Sequence, residues 1–181
     1  MLKSIARKRI RAFSNRYDYD ASYLEAVLDA SPAAFFKFAK LVNAASHRES
    51  VPIDAYFAAK IAGARAEDCG PCTQLGVNMA LEAGMPRDQI EAVLTGDYVA
   101  MNDDTVLAFR FAQAVIDHRP NEDELREAVR TAWGDKGVID LTFALQLGRM
   151  FPMVKAGLGF ARECRRVRVG DKAVMVAPLA A

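Results

Sequence analysis

The chain has 181 residues, 52% of them apolar, and a formal net charge of +1. It is long enough to bury a core without disulfide staples, and it carries no overall field that would draw nucleic acid or acidic lipid. No window approaches about 18 uninterrupted apolar residues, so no membrane-spanning helix is expected, and neither membrane nor nucleic acid is expected as a partner.

In chain order, nearly every segment follows the 3.6-residue helical period and almost none alternates as a strand would, so the expected fold is all-α. The stretch to Arg16 is basic and reads as an amphipathic arm. Ile5 and Ile10 are embedded among Lys3, Arg7, Lys8, Arg9 and Arg11, which is no secretory signal. With only three cysteines there is no even disulfide framework, so a reducing cytoplasm is the expected compartment. Ser31-Pro32 places a cap and an N1 proline ahead of Phe35, Phe36, Phe38, Leu41 and Val42, predicting a helix to about Ser46. Ser50 to Pro52 repeats the start signal for a helix through Tyr56, Phe57 and Ile61 to about Arg65.

Cys69-Gly70-Pro71-Cys72 then opens a helix whose apolar face is Leu75, Val77, Met79, Ala80 and Leu81 and which Gly84 terminates. A short helix starts near Pro86 and ends at Gly96, and Asp103 or Asp104 caps a longer one through Phe109, Phe111 and Ile116. Asn121 with Glu124 reads as a capping box for a helix carrying Leu125, Val129 and Trp133. The last helix is expected from about Gly137 to Arg166, kinked by Pro152, with Gly148, Gly157 and Gly159 allowing close backbone approach. Val167, Val169, Val174 and Val176 flank Gly170-Asp171 in a hairpin-like pattern. The expected organisation is a basic arm over 1–20, a helical domain over 21–166 and a tail over 167–181.

Two thiols separated by two residues can close a disulfide within one helical turn. A free thiol has a pKa near 8.5, and a helix N-terminus can bring it to roughly 3.5 to 7.5, because the backbone N–H groups and the helix dipole stabilise the thiolate that does the chemistry. The same pair is half of a structural zinc site, for which Cys164, His47 and His118 are the remaining ligand candidates. None of the three stands at ligand spacing, so no metal is expected. Both histidines follow helix ends and read as caps, and Cys164, among Arg162, Arg165 and Arg166, reads as an incidental thiol. No GxGxxG, P-loop or G-x-S-x-G is present, and no cofactor is expected.

Thioredoxins carry the same tetrapeptide, but behind a hydrophobic strand in a βαβ pattern. Here the approach, Ile61 to Asp68, is helical and polar. A helix, a CxxC, a helix ending Glu82-Ala83-Gly84-Met85-Pro86, and then Gln89-Ile90-Glu91-Ala92-Val93 resembles the alkylhydroperoxidase AhpD-like and carboxymuconolactone decarboxylase family over about Pro52 to Gly96. The resemblance implies an AhpD-like helical bundle that works as a homo-oligomer and cycles between dithiol and disulfide. Its substrate would be a small hydroperoxide or a protein disulfide, with electrons returned by an external thiol reductant. Carried over, Cys72 is the nucleophile and Cys69 the resolving thiol, whereas a generic CxxC at a helix N-terminus suggests the reverse order.

Two family positions differ. The histidine expected four residues after the second cysteine is Gly76, and the glutamate expected about a dozen residues before the first is Phe57. Glu67 and Asp68 are the nearest substitutes, and Glu67 joins Cys69 and Cys72 as a candidate site residue, although a carboxylate beside a thiol opposes its ionisation. Thr73 and Gln74 are candidates to orient a water, and Lys60 to supply positive charge. The alternative to a peroxidase is a module that keeps the fold and the disulfide as an interaction or structural element without turnover.

Overall fold

The structure, a computed structural model, describes residues 2–160 and 166–177. Cys164, Arg162 and Arg165 lie outside the described residues. Among the described residues the fold is all-α apart from one small hairpin: α1 (Leu2–Tyr17), α2 (Ser22–Ala30), α3 (Pro32–Ala39), α4 (Leu41–Ala44), α5 (Ile53–Ala66), α6 (Gly70–Glu82), α7 (Arg87–Thr95), α8 (Asp103–Asp117), α9 (Glu122–Gly157), β1 (Arg166–Val169) and β2 (Lys172–Met175).

The main core forms around α5, which is buried on almost every side and packs on α6, α7, α8 and α9. It is built largely of alanine, so neighbouring backbones come close. Gly148 of α9 sits against the Lys60 carbonyl of α5, and a Cβ there would lie 2.5 Å from that oxygen. Gly63 makes the reciprocal approach to the Leu145 carbonyl, a contact that the sequence reading did not single out. Gly157 and Gly159 differ from expectation, since a Cβ at either would meet nothing within 4 Å.

Ser31 caps α3 as expected, its Oγ accepting the Ala34 N–H at 3.3 Å. Three other start signals are corrected. Asn102, not Asp103 or Asp104, caps α8, because Asn102 holds the extended backbone that lets its Oδ1 accept the Thr105 N–H at 2.8 Å. Asn121 makes no side-chain cap, since its φ of −92° and ψ of 15° turn it away from that geometry. Ser50 gives its hydroxyl to the Trp133 carbonyl instead of capping α5, and the N–H groups of Glu49, Ser50 and Val51 all donate to the buried carboxylate of Asp140 on α9.

The span α9 leaves helical dihedrals at Gly134 (φ 71°, ψ −174°), so the helix through Leu125, Val129 and Trp133 and the last helix are separated where the sequence predicts. The backbone stays helical at Pro152, and the last helix finishes at Gly157, earlier than expected. Gly159 at φ 77° permits the closing turn, in which Phe160 N–H reaches the Lys155 carbonyl and Gly159 N–H the Ala156 carbonyl. Gly84 closes α6 with the same bond pattern, through Met85 to Ala80 and Gly84 to Leu81.

The hairpin pairs Val167 with Val174 and Val169 with Lys172 in antiparallel register. Val167, Val169 and Val174 are buried in the main core. Gln74 of α6 ties it down, accepting from Arg168 N–H at 2.6 Å and donating to the Arg168 carbonyl at 2.9 Å. Buried Arg65 donates to the Val93 and Ala177 carbonyls, joining the end of α7 to the segment after β2.

A second apolar cluster, containing Ala6, Ile10, Tyr19, Ala21, Tyr23, Leu28 and Phe35, is built from the first three helices and their connections. The N-terminal stretch thus packs on its own chain. Cys69 and Cys72 belong to this second cluster.

Candidate functional site

Between α5 and α6 the chain reverses at Asp68, whose φ of 49° lies in the left-handed region that aspartate tolerates better than most residues. Cys69 then stands at the N-cap of α6, Gly70 and Pro71 fill the first two helical positions, and Cys72 follows one turn in. Proline costs nothing at that position, because the N–H it lacks would have had no partner within the helix. The cysteine Cα atoms are 5.3 Å apart and the two sulfurs are joined as a disulfide. Thr73 Oγ donates to the Cys69 carbonyl at 3.1 Å, which stiffens the turn carrying both sulfurs.

The pair is covered. Cys69 is 2% and Cys72 6% exposed, so the groups packed over them decide their chemistry. The hydroxyl of Tyr19 lies 3.7 Å from Cys72 Sγ. Tyr19 is placed there by the turn after α1, where Asp18 adopts a φ of 48°, Tyr19 N–H donates to the Ser14 carbonyl at 3.0 Å, and Ser14 Oγ donates to the Tyr19 carbonyl at 2.5 Å. Burial first, then the neighbouring Tyr23 and the charge of Asp20, push the Tyr19 phenol far above its usual value, and burial raises Tyr23 to about 12. Both phenols therefore hold their protons across the neutral range.

Beneath the two rings is Lys155 of α9, 1% exposed, with its Nζ 4.7 Å from the Tyr19 centroid, 5.7 Å from the Tyr23 centroid and 3.3 Å from the Asp20 carbonyl. A buried ammonium over two ring faces is a cation–π arrangement that fixes the tyrosines in place. Outside the cluster, Tyr19 also helps line an open depression of about 560 Å³ together with Ser14, Asn15, Asp18 and Asp20.

The other expected site residues have different partners. Glu67, at the C-cap of α5, accepts from Arg149 Nε at 2.7 Å. Gln74 holds the hairpin, as described above. Lys60 turns to the other end of α5, donating to the Ala45 carbonyl at 2.8 Å. His47 has its Nε2 3.5 Å from Asp140 Oδ1, and His118 is the left-handed C-cap of α8. Gly76 faces α5, where a Cβ would meet Ile61 Cγ1 at 3.4 Å, and Phe57 is buried edge-on against Tyr56.

Tyr19, Tyr23 and Lys155 were not singled out from the sequence. The Asp18-Tyr19-Asp20 stretch between two amphipathic segments is a turn signal, but nothing in a one-dimensional pattern says that its aromatic ring reaches a sulfur 53 residues away. Among the described residues no three or more His, Cys, Asp or Glu side chains are arranged to hold a metal, and no helix is long and apolar enough to cross a membrane. No family model, curated protein or solved structure matches this chain.

Proposed function

We propose that this protein is a thiol–disulfide oxidoreductase whose Cys69 and Cys72 cycle between dithiol and disulfide to reduce a small hydroperoxide at the expense of an external thiol donor. The observation that carries the reading is the joining of the two sulfurs at the first turn of α6, where helix N–H groups favour a thiolate. The AhpD-like arrangement of a helix, a CxxC and a helix closed by Gly84 supports the same reading.

In the proposed cycle the Cys72 thiolate attacks the peroxide, the O–O bond breaks, Cys72 becomes a sulfenic acid, and the departing alkoxide takes a proton. The Cys69 thiol condenses with the sulfenic acid, forming the disulfide and releasing water. Two equivalents of donor thiol then restore the dithiol and leave as their own disulfide. The net conversion is hydroperoxide plus two thiols to alcohol, water and a disulfide. A protein disulfide in place of the peroxide requires only the exchange steps. The proposal includes assembly as a homo-oligomer, which the family resemblance implies.

One observation favours the alternative, a non-catalytic module. Both sulfurs are almost fully covered, as structural disulfides are. Coupled peroxide consumption with a dithiol donor separates the two readings. Turnover by the wild type and by Cys164→Ser, with loss in Cys72→Ser, supports the enzyme. Equal consumption by wild type and Cys72→Ser overturns it.

A further inference from the structure

We infer that Tyr19 is a catalytic residue of this site, the hydrogen-bond and proton donor to Cys72 that stands in for the histidine absent at position 76. The inference rests on the redox reading of the preceding subsection, and it begins from the 3.7 Å contact between the Tyr19 hydroxyl and Cys72 Sγ.

A sulfur in a disulfide carries no proton, so in the oxidised pair the hydroxyl is the donor and the sulfur the acceptor. Tyr19 directs its single proton at the sulfur. The hydroxyl cannot easily turn away. Lys155 clamps both rings from α9, Phe13 meets the Tyr19 ring edge-on at 6.0 Å, and Ser14 holds the Tyr19 backbone from both sides.

The position explains how a covered sulfur is kept reactive. Burial alone raises a thiol's pKa, so the α6 N-terminus works against desolvation, and a fixed O–H donor aimed at the sulfur adds to the side of the thiolate. When donor thiolate attacks Cys69, the S–S bond breaks and its electron pair passes to Cys72 Sγ, where the Tyr19 proton is already directed. When the Cys72 thiolate cleaves a peroxide, the electron pair of the O–O bond passes to the leaving oxygen. Tyr19 gives that oxygen its proton and recovers one from solvent by way of the depression it lines with Ser14, Asn15, Asp18 and Asp20. The family histidine would reach the sulfurs from within α6, but here that position packs on Ile61 of α5. The donor instead enters from the α1–α2 turn.

Among the described residues, the titratable and charged groups facing Tyr19 include Cys72 on α6, Tyr23 on α2, Asp20 in the connection and Lys155 on α9. Because both phenols stay protonated through neutrality, the ionisation read between pH 5 and 9 in a chain with Cys72 as its only thiol belongs to that thiol.

The test is a thiolate titration, by absorbance near 240 nm and by iodoacetamide rate against pH, in a Cys69→Ser, Cys164→Ser chain. Adding Tyr19→Phe is expected to raise the Cys72 midpoint by about one to two units, the loss of one hydrogen bond to a charged sulfur. In the otherwise native chain, Tyr19→Phe is expected to slow peroxide consumption at least tenfold at pH 7. An unchanged midpoint in a folded Tyr19→Phe chain overturns the inference, as does slowed turnover without a shifted midpoint, which marks a packing role. If the phenylalanine variant does not fold, 3-fluorotyrosine at position 19 keeps ring and hydroxyl while making a stronger donor. It must then lower the midpoint, and no change again overturns the inference. Absence of peroxide turnover in the wild type sinks the redox reading alone, because the midpoint comparison still reports on Tyr19.

Discussion

Asp140 Oδ2 accepts the backbone N–H of Ser50 at 2.7 Å, and the same fully buried carboxylate also takes the N–H groups of Glu49 and Val51. One side chain of α9 thereby fixes the turn that leads into α5, the helix that precedes the CxxC. Asp140→Ala leaves those donors unpaired at a buried junction and is expected to cost about 3–5 kcal/mol in urea denaturation, with Asp140→Asn costing less because one acceptor oxygen remains. Equal stability of the alanine variant and the wild type would show that the turn is held by other means.

Gly148 and Gly157, both on α9, should respond oppositely to alanine. At Gly148 the new Cβ is driven into the Lys60 carbonyl, which is backbone and cannot swing away, so a loss of about 1–3 kcal/mol is expected. At Gly157 the Cβ meets nothing within 4 Å, and the gain in helix propensity leaves stability unchanged or raised by up to about 1 kcal/mol. Thermal melts of the two variants check the sign of each.

Lys60 sets a pH dependence of stability. Burial lowers its ammonium from 10.5 to about 8 in the folded chain, so below about pH 8 both states carry the proton and the folded state bears the full penalty. Between about 8 and 10.5 the unfolded chain binds more protons than the folded one, and stability rises with pH. Relative to Lys60→Met, the wild type should gain stability from pH 7 to pH 10 in matched denaturation curves. Parallel pH profiles would contradict this.

Access to the disulfide depends on how tightly α1 is moored to α6. Glu82 accepts from Arg16 and from the Tyr17 hydroxyl, and Asn78 donates to the Tyr17 carbonyl at 3.0 Å. Glu82→Ala should speed alkylation of the reduced pair by a bulky maleimide several-fold while changing the rate with a small methylthiolating reagent much less. Equal acceleration of both reagents would indicate a change at the sulfur itself.

The fold was legible wherever local chemistry decides it. Ser31-Pro32, the Gly84 and Gly96 stops and the apolar period of α5 to α8 are local signals, and the elements appear where they predict. Errors fall where a distant group overrides the local one. Asp140, not the Ser50 hydroxyl, fixes the turn ahead of α5, and Pro152 leaves the backbone helical because a proline inside a helix can be accommodated by its surroundings, whereas the positive φ of Gly134 separates the two helices as expected. Ser22 to Ala30 forms a helix without a side-chain cap at Ala21 to announce it, and it carries Tyr23. The site was half visible. A CxxC is written in sequence, but the groups that tune it come from the α1–α2 turn and from α9, and their meeting is a product of packing. Glu67 illustrates the converse, since adjacency in sequence suggested a base and Arg149 holds its carboxylate.

The central claim is that Cys69 and Cys72 exchange two electrons reversibly, and the most direct measurement is their equilibrium with graded oxidised and reduced dithiothreitol, followed by alkylation and mass spectrometry. The account predicts one two-electron transition of this pair above about −300 mV, within reach of cellular dithiols, and independent of Cys164. A pair that stays oxidised at potentials well below that, or two thiols that titrate separately, would contradict it and leave a structural crosslink in its place.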